Sequence, residues 1–476
     1  MEINFSLFSI EIATALLAVI ILIIGLMIPK QSRHILGYII ALGLVVIFGF
    51  SFRFYGLNTA VIDKMYLVDD FSVFFKQLFL VAAILVILAS IRYVNKMNGN
   101  FEFYVITIVA ALGMMVLVSA GDMLTLYVAL ETMAISFYIL AGYKTDPKSA
   151  EAGMKYLILG ALSSGILLYG LSLIYGMTGT VIITEIAAKI GLLSGYSPAL
   201  VVGLVFVLAG LGFKISLIPF QMWTPDVYEG APTPVTAFLA TGSKAASFAV
   251  LARLLLIALP AYSRQWQLLV AVLAALTMII GNLAAIPQTN MKRMLAYSSI
   301  GQAGYMITGI LAMNQAGVSA LSFYSVIYVL ATVGAFTVVM TCSTQTDSDE
   351  ITDYAGLAQR SPLMAAALTI FLLSMAGIPP LAGFTGKLYL FKSIVNQGYL
   401  WLVIVGLVMS MVSVYYYLKV AKVMYMNDPV DKTPITIPAE AKITLLLTMI
   451  ATIFFGIYAQ PLSVLAHIAG KALLTF

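Results

Sequence analysis

The apolar positions of this chain fall into long runs separated by short polar punctuation. Runs of spanning length lie near residues 8–28, 35–53, 72–92, 103–120, 122–142, 152–176, 198–218, 235–259, 266–287, 294–313, 318–341, 361–391, 400–426 and 440–460. A helix needs roughly 20 apolar residues to cross a bilayer. The strict alternation in short segments that marks a membrane β-barrel is absent. The pattern therefore predicts an all-α polytopic membrane protein with about fourteen transmembrane helices. An even number of crossings places both chain ends on one side. Glu2, rather than a basic region, precedes the first run, which reads as a retained helix and not as a cleaved signal.

One stretch breaks the pattern. Residues 207–244 read VLAGLGFKISLIPFQMWTPDVYEGAPTPVTAFLATGSK. Lys214 sits deep in an apolar run, and Pro219 then removes a helix hydrogen bond. Pro225, Pro232 and Pro234 follow, with Asp226 and Glu229 in a polar connector near the surface, and Lys244 lies inside the next run. Pro379 and Pro380 interrupt the twelfth run as Pro219 interrupts the seventh, an offset of roughly 160 residues, or about five helices. An odd number of helices between copies inverts the second copy. Proline-broken helices at matching positions of two inverted halves point to a transport site.

Composition narrows the function. Only 9% of residues are charged and 62% are hydrophobic, which excludes a soluble domain. The net charge of +5 gives no reason to expect nucleic-acid binding. One cysteine, Cys342, and two histidines, His34 and His467, exclude internal disulfides, redox cysteine pairs and cysteine-ligated clusters. No phosphate-binding loop or dinucleotide fingerprint is present, so a redox cofactor or nucleotide is expected on other chains.

The basic residues concentrate in alternate loops: Lys30 and Arg33, Arg92 and Lys96, Lys144 and Lys148, Lys292 and Arg293, Arg360, then Lys419, Lys422 and Lys432. The positive-inside rule makes those loops cytoplasmic and places both termini outside. Lys292 with Arg293 is read as part of this topology signal. Lys76 and Arg253 lie near run ends and are expected to snorkel to the interface.

Five ionisable residues remain at depths where charge is costly: Glu131, Lys155, Lys214, Lys244 and Lys387. Burial and nearby charge tune how tightly such groups hold a proton. One acid and several bases joined by water supply what a proton relay requires. Lys155, close to a run's start, is also readable as an interfacial lysine, and Glu131 as a structural ion-pair partner.

These residues sit in motifs that resemble a known family. LGFKISLIPFQMWTPDVYEGAPTPVTAFLATGSKAASFAV, LYVALE around Glu131, MKYLILGALSSG around Lys155, QTNMKRMLAYSSIGQAGYM at 288–306 and LSMAGIPPLAGFTGKLYLF at 373–391 are similar to the antiporter-like membrane subunits of respiratory complex I, the proton-pumping NADH:quinone oxidoreductase. The resemblance covers most of the chain. It implies fourteen helices and two inverted five-helix repeats with helices 7 and 12 broken. Residues 1–102 would form an N-terminal three-helix region, 103–260 the first repeat, 261–427 the second and 428–476 the last helix. Glu131 and Lys214 resemble the acid–lysine pair that responds to a neighbouring subunit, Lys244 the central relay lysine and Lys387 the terminal one. Lys155 matches a further family lysine. Many members have histidine where this chain has Gln221, so a histidine step has no counterpart here.

The implied activity is proton translocation coupled to quinone reduction in a bacterial cytoplasmic membrane. NADH, FMN, iron–sulfur clusters and quinone would be bound by partner subunits, and none by this chain. Partners would be other membrane-arm subunits, including neighbouring antiporter-like ones, together with lipid, protons and water. Two alternatives stand beside it: a subunit of a multi-subunit cation/proton antiporter, and a non-pumping structural subunit.

Overall fold

The computed structural model describes residues 4–97, 100–192, 197–429 and 431–475. Residues 2 and 476, on which the expectation for the termini rests, lie outside them. The chain is helical almost throughout. The first unit comprises α1 (Ser9–Met27), α2 (Ile35–Ser51) and α3 (Asp70–Asn95), with a small antiparallel hairpin, β1 (Thr59–Val61) and β2 (Tyr66–Val68), before α3. Next come α4 (Asn100–Val118), α5 (Met123–Ala141), α6 (Pro147–Thr178), the short α7 (Ile183–Gly191) and α8 (Pro198–Ile215). After a break, α9 (Trp223–Gly230), α10 (Thr233–Phe238) and α11 (Lys244–Arg253) follow. The rest is α12 (Ser263–Ala285), α13 (Met291–Met306), α14 (Thr308–Leu311), α15 (Gln315–Thr346), α16 (Leu357–Arg360), α17 (Pro362–Ala376), α18 (Ala382–Val395), α19 (Leu400–Met426), α20 (Ala439–Ile457) and α21 (Gln460–Thr475).

Helix starts follow the polar punctuation. Asp69 and Ser72 form a reciprocal capping box on α3, and Asp122, Asp146, Asn290 and Asn314 accept backbone N–H groups at the starts of α5, α6, α13 and α15. Proline opens α6, α8 and α17, where its missing N–H costs nothing. Glycine pairs let backbones touch: a side chain on Gly281 of α12 would collide with Gly301 of α13, as one on Gly170 of α6 would with Gly203 of α8.

Among the described residues, twelve helices are long and apolar enough to cross a membrane. Two further crossings are built from short pairs, α13 with α14 and α17 with α18. Those fourteen match the predicted runs. The hairpin, α7 and α21 were not foreseen. The helix at Thr233–Ala258 and α15 are buried over nearly all their length, while α1, α2, α6, α19 and α20 turn large apolar side chains outward. The molecule is thus lined outside with lipid-compatible residues and keeps its polar groups in the middle, as backbone and charge demand in a bilayer.

The basic loops share one end of the bundle, the basic end. Tyr93, Lys96, Lys144, Lys148, Asn290 and Glu350 line one cavity of about 480 Å³ there. The hairpin, α7, α21 and the first turns of α3 and α15 lie at the other end.

Two expectations are corrected. Lys76 and Arg253 do not snorkel; each is about 1% exposed. Lys76 pairs with Glu11 of α1 at 2.9 Å and donates to Tyr66 Oη at 2.9 Å. Arg253 pairs with Asp69 at 2.8 Å and donates to the Val118 carbonyl. A partner inside the protein replaced the journey to water. Lys292 also exceeds a topology signal: it is buried, donates to the Ala231 carbonyl at 2.9 Å and pairs with Asp349 at 3.3 Å.

Candidate functional site

Both proline breaks have the same local shape. α8 ends on Ser216, at φ 64°, and α17 on Gly377, at φ 87°; both are left-handed residues that terminate a helix. The peptide bonds before Pro219 and Pro380 are cis. Gly383 then brings α18 against α17 so closely that any side chain there would run into the Ser374 carbonyl. The breaks leave Lys214 two residues before Ser216 and Lys387 ten residues after Gly377.

Lys214, Lys244 and Lys387 are all buried, at 3%, 1% and 4% exposure. None forms an ion pair among the described residues; hydroxyls and carbonyls solvate them. Lys214 Nζ donates to Tyr138 Oη at 3.1 Å. Lys244 Nζ donates to the Ser299 carbonyl at 2.9 Å and to Ser299 Oγ, which also accepts from Tyr328 Oη. Lys387 Nζ donates to Ser410 Oγ at 2.9 Å and the Ala376 carbonyl at 3.0 Å, and lies 4.4 Å from the centre of the Tyr305 ring. Lys244 opens α11 directly after a π-helical turn, Leu239–Ser243. Such wide turns recur at functional positions because they free backbone groups and re-aim side chains.

α13 joins two of the lysines. Ser299 contacts Lys244, Gln302 accepts from Tyr324 and donates to the Met375 carbonyl, and Tyr305 underlies Lys387. Ser299 and Tyr305 are six residues apart, about 9 Å along the helix axis. α8 and α11, which carry Lys214 and Lys244, pack on each other.

Glu131 and Lys214 do not form the direct pair expected. Glu131, half-buried on α5, accepts a hydrogen bond from Ser164 of α6, while Lys214 bonds Tyr138. Glu131 remains in Coulombic range of Lys214. Lys155, which the sequence left readable as a relay member or an interfacial lysine, is not buried with the other three lysines. It lies half-exposed near the basic end of α6, where it pairs with Glu151 at 2.8 Å and Asp226 at 2.9 Å. Arg293 completes that network by bridging Asp226 and Glu229, at 2.9 and 3.0 Å. Burial alone would raise the Asp226 carboxyl, but the bonds from Lys155 and Arg293 outweigh it and hold it below the ordinary range. Gln221 stands in the break after α8, its amide oxygen buried without a hydrogen-bond partner among the described residues.

The residues that sequence reasoning missed are Tyr138, Ser164, Ser299, Gln302, Tyr305, Tyr328 and Ser410. Serine and tyrosine are ordinary in apolar helices, and nothing in their spacing announces a lysine across the interface.

A many-helix membrane protein whose two proline-broken helices surround buried lysines belongs to the antiporter-like class. The family described as "NADH:quinone oxidoreductase/Mrp antiporter, TM" matches residues 120–413. The NADH-quinone oxidoreductase subunit N of Desulforamulus reducens is 56% identical over 476 residues, all of both chains. A chain of respiratory complex I from Thermus thermophilus, solved with bound aureothin, is 34% identical with a TM-score of 0.82 and covers 96% of this chain and 99% of its own. A chain of the Mrp complex from Dietzia sp. shares the fold, with a TM-score of 0.84 over 98% of this chain and 97% of its own, at 21% identity. This chain belongs to the family of NADH-quinone oxidoreductase N subunits.

Proposed function

We propose that the chain translocates protons in the membrane arm of a bacterial NADH:quinone oxidoreductase, with Glu131, Lys214, Lys244 and Lys387 as its protonatable groups. The observation that carries the reading is the state of the three lysines: each is buried, none pairs with a carboxylate among the described residues, and each is held by hydroxyls or carbonyls that hydrogen-bond the ammonium. A lysine so placed exchanges a proton at far less cost than one in a buried ion pair. Lys155 acts outside this row, in the surface network with Asp226. NADH, FMN, iron–sulfur clusters and quinone belong to partner subunits, and other antiporter-like subunits flank this one.

The basic end faces the cytoplasm and both termini face the periplasm. Residues 103–260 and 261–427 form the inverted repeats, preceded by the three-helix region 1–102 and followed by 428–476; the matching left-handed turns at Ser216 and Gly377 support this division. The test is proton uptake per quinone reduced in membranes whose complex carries Lys244→Ala. Purifying the native complex and identifying its subunits separates this reading from a cation/proton antiporter, which would bring no quinone-reducing partner.

A further inference from the structure

We infer that Lys292 is a positioning residue for Lys244: it staples three chain segments together at the basic end and so sets Ser299 against the Lys244 ammonium. The inference rests on the proposed relay role of Lys244.

Two three-way junctions join the same three segments. In the first, Lys244, which opens α11, donates to the Ser299 carbonyl of α13 at 2.9 Å and to Ser299 Oγ, and Ser299 Oγ also accepts from Tyr328 of α15 at 2.9 Å. The second is built on Lys292 of α13. Its ammonium donates to the carbonyl of Ala231, two residues before α10, at 2.9 Å, and pairs with Asp349, three residues after α15, at 3.3 Å. α10 runs through the π-helical turn Leu239–Ser243 into α11 without a break, so Ala231 leads directly into the helix that carries Lys244. Lys292 and Ser299 are seven residues apart on α13, about 10 Å along its axis.

The tie between α13 and the end of α15 does not need Lys292. The Met291 N–H donates to the Asp349 carbonyl and the Ile351 N–H to the Thr289 carbonyl, both at 2.8 Å. Arg293 joins α13 to α9 through Asp226 and Glu229. The bond to Ala231 is the distinct contribution of Lys292, and it grips the chain where the Lys244 helix begins.

Two features make that grip matter for the ammonium. An ammonium has three protons to donate. Lys244 gives two of them to one residue, Ser299, so a small slide of α13 takes both acceptors away together. Between the grip and Lys244 lies the π-helical turn, where each hydrogen bond closes over five residues instead of four. A helix wound that loosely does not fix the position of the next residue by itself, and an outside register is required. Lys292 is buried, whereas Asp349 is partly exposed and lines the cavity of about 480 Å³ at the basic end. The carboxylate that holds the staple can therefore be altered without opening the core.

The test uses the assembled complex in sealed membranes. Lys292→Met removes the staple, Lys292→Arg keeps a donor that reaches both partners, and Asp349→Asn removes only the charge opposite it. Proton uptake per quinone reduced should fall by roughly tenfold in Lys292→Met, the worth of one hydrogen bond to a charged group, fall less in Asp349→Asn, and stay near wild type in Lys292→Arg. Asp349→Asn carries the test if Lys292→Met lowers assembly. The decisive readout is the combination of either variant with Ser299→Ala. A residue that acts through Ser299 gives a joint loss smaller than the product of the single losses, whereas independent structural damage multiplies. Wild-type uptake in both Lys292→Met and Asp349→Asn, or losses that multiply with Ser299→Ala, would overturn the positioning role, while a defective Lys244→Ala beside them would keep Lys244 in the relay. Normal uptake in Lys244→Ala would remove the relay role on which the inference rests.

Discussion

Lys76 and Glu11 meet at 2.9 Å with both side chains almost wholly buried, joining α1 to α3 near the end of the bundle opposite the basic loops. Asp69 and Arg253 do the same between the start of α3 and the end of α11. The two pairs tie the N-terminal helices to the helix that carries Lys244.

Removing one member of such a pair leaves the other charged and desolvated, a loss of about 3–5 kcal/mol, whereas replacing both by apolar residues is often tolerated. Lys76→Met and Glu11→Leu should each lower the thermal midpoint of the purified complex and its assembled yield. The double variant should recover much of both. A double variant worse than the sum of the singles would show that the charges are needed for more than mutual compensation.

At the basic end the sign of the pH dependence is set by Asp226. Its carboxyl is held below its ordinary range in the folded protein, so its contribution is present above the unfolded value of about 3.9 and disappears as pH falls through the folded one. The difference in thermal midpoint between wild type and Asp226→Asn should therefore be constant from about pH 5 to 8 and vanish on further acidification. A difference that shrank between neutrality and pH 5 would place the controlling proton elsewhere. Lys155→Ala should weaken the same network and leave proton yield unchanged, since Lys155 stands outside the buried row.

Much of this was legible in the chain. The crossings were, because each is a run of apolar residues, and so were both breaks, because proline cannot supply the helix N–H. Lys214, Lys244 and Lys387 were legible for the same reason: a charge inside an apolar run needs an explanation. What was not legible came from tertiary neighbours. Snorkelling is judged from depth along one helix, and it failed for Arg253 because Asp69 lies 184 residues away. The direct Glu131–Lys214 pair was not formed, because the acid takes a hydrogen bond from Ser164 and the lysine gives one to Tyr138, both unremarkable in sequence. α21 had a signal that length obscured: Leu462, Ala466, Ala469 and Leu473 recur at helical spacing and are buried against the bundle, but the run is too short to span.

Lys244 has the simplest test. Its ammonium is held by Ser299 alone among the described side chains it bonds, and Ser299 stays hydrogen-bonded to Tyr328 without it. Lys244→Ala should leave the complex assembled and sharply reduce proton uptake per quinone. Lys244→Arg should restore the charge but not the uptake, because a guanidinium does not release its proton in this range. Full uptake in either variant would remove Lys244 from the relay.

The surroundings of Lys387 decide between two ways of replacing it. Judged by titratability alone, glutamate should serve better than alanine. The structure argues otherwise. Lys387 faces the Ala376 carbonyl at 3.0 Å and the π face of Tyr305 at 4.4 Å, and the Ser410 proton is already committed to Ala376 at 2.6 Å. All three present negative or lone-pair density, which suits a cation and repels a carboxylate. A glutamate here is stabilised only as the neutral acid, donating to the carbonyl. It would hold its proton rather than pass it on. Lys387→Glu should therefore assemble and lose proton yield to the same extent as Lys387→Ala. Ser410→Ala should lower the yield less, since the carbonyl and the ring remain to hold the ammonium. Proton uptake per quinone in the three variants settles the order. If Lys387→Glu retained clearly more uptake than Lys387→Ala, any titratable group would suffice, and the cation-selective cradle of Ala376, Ser410 and Tyr305 would not be what the site requires.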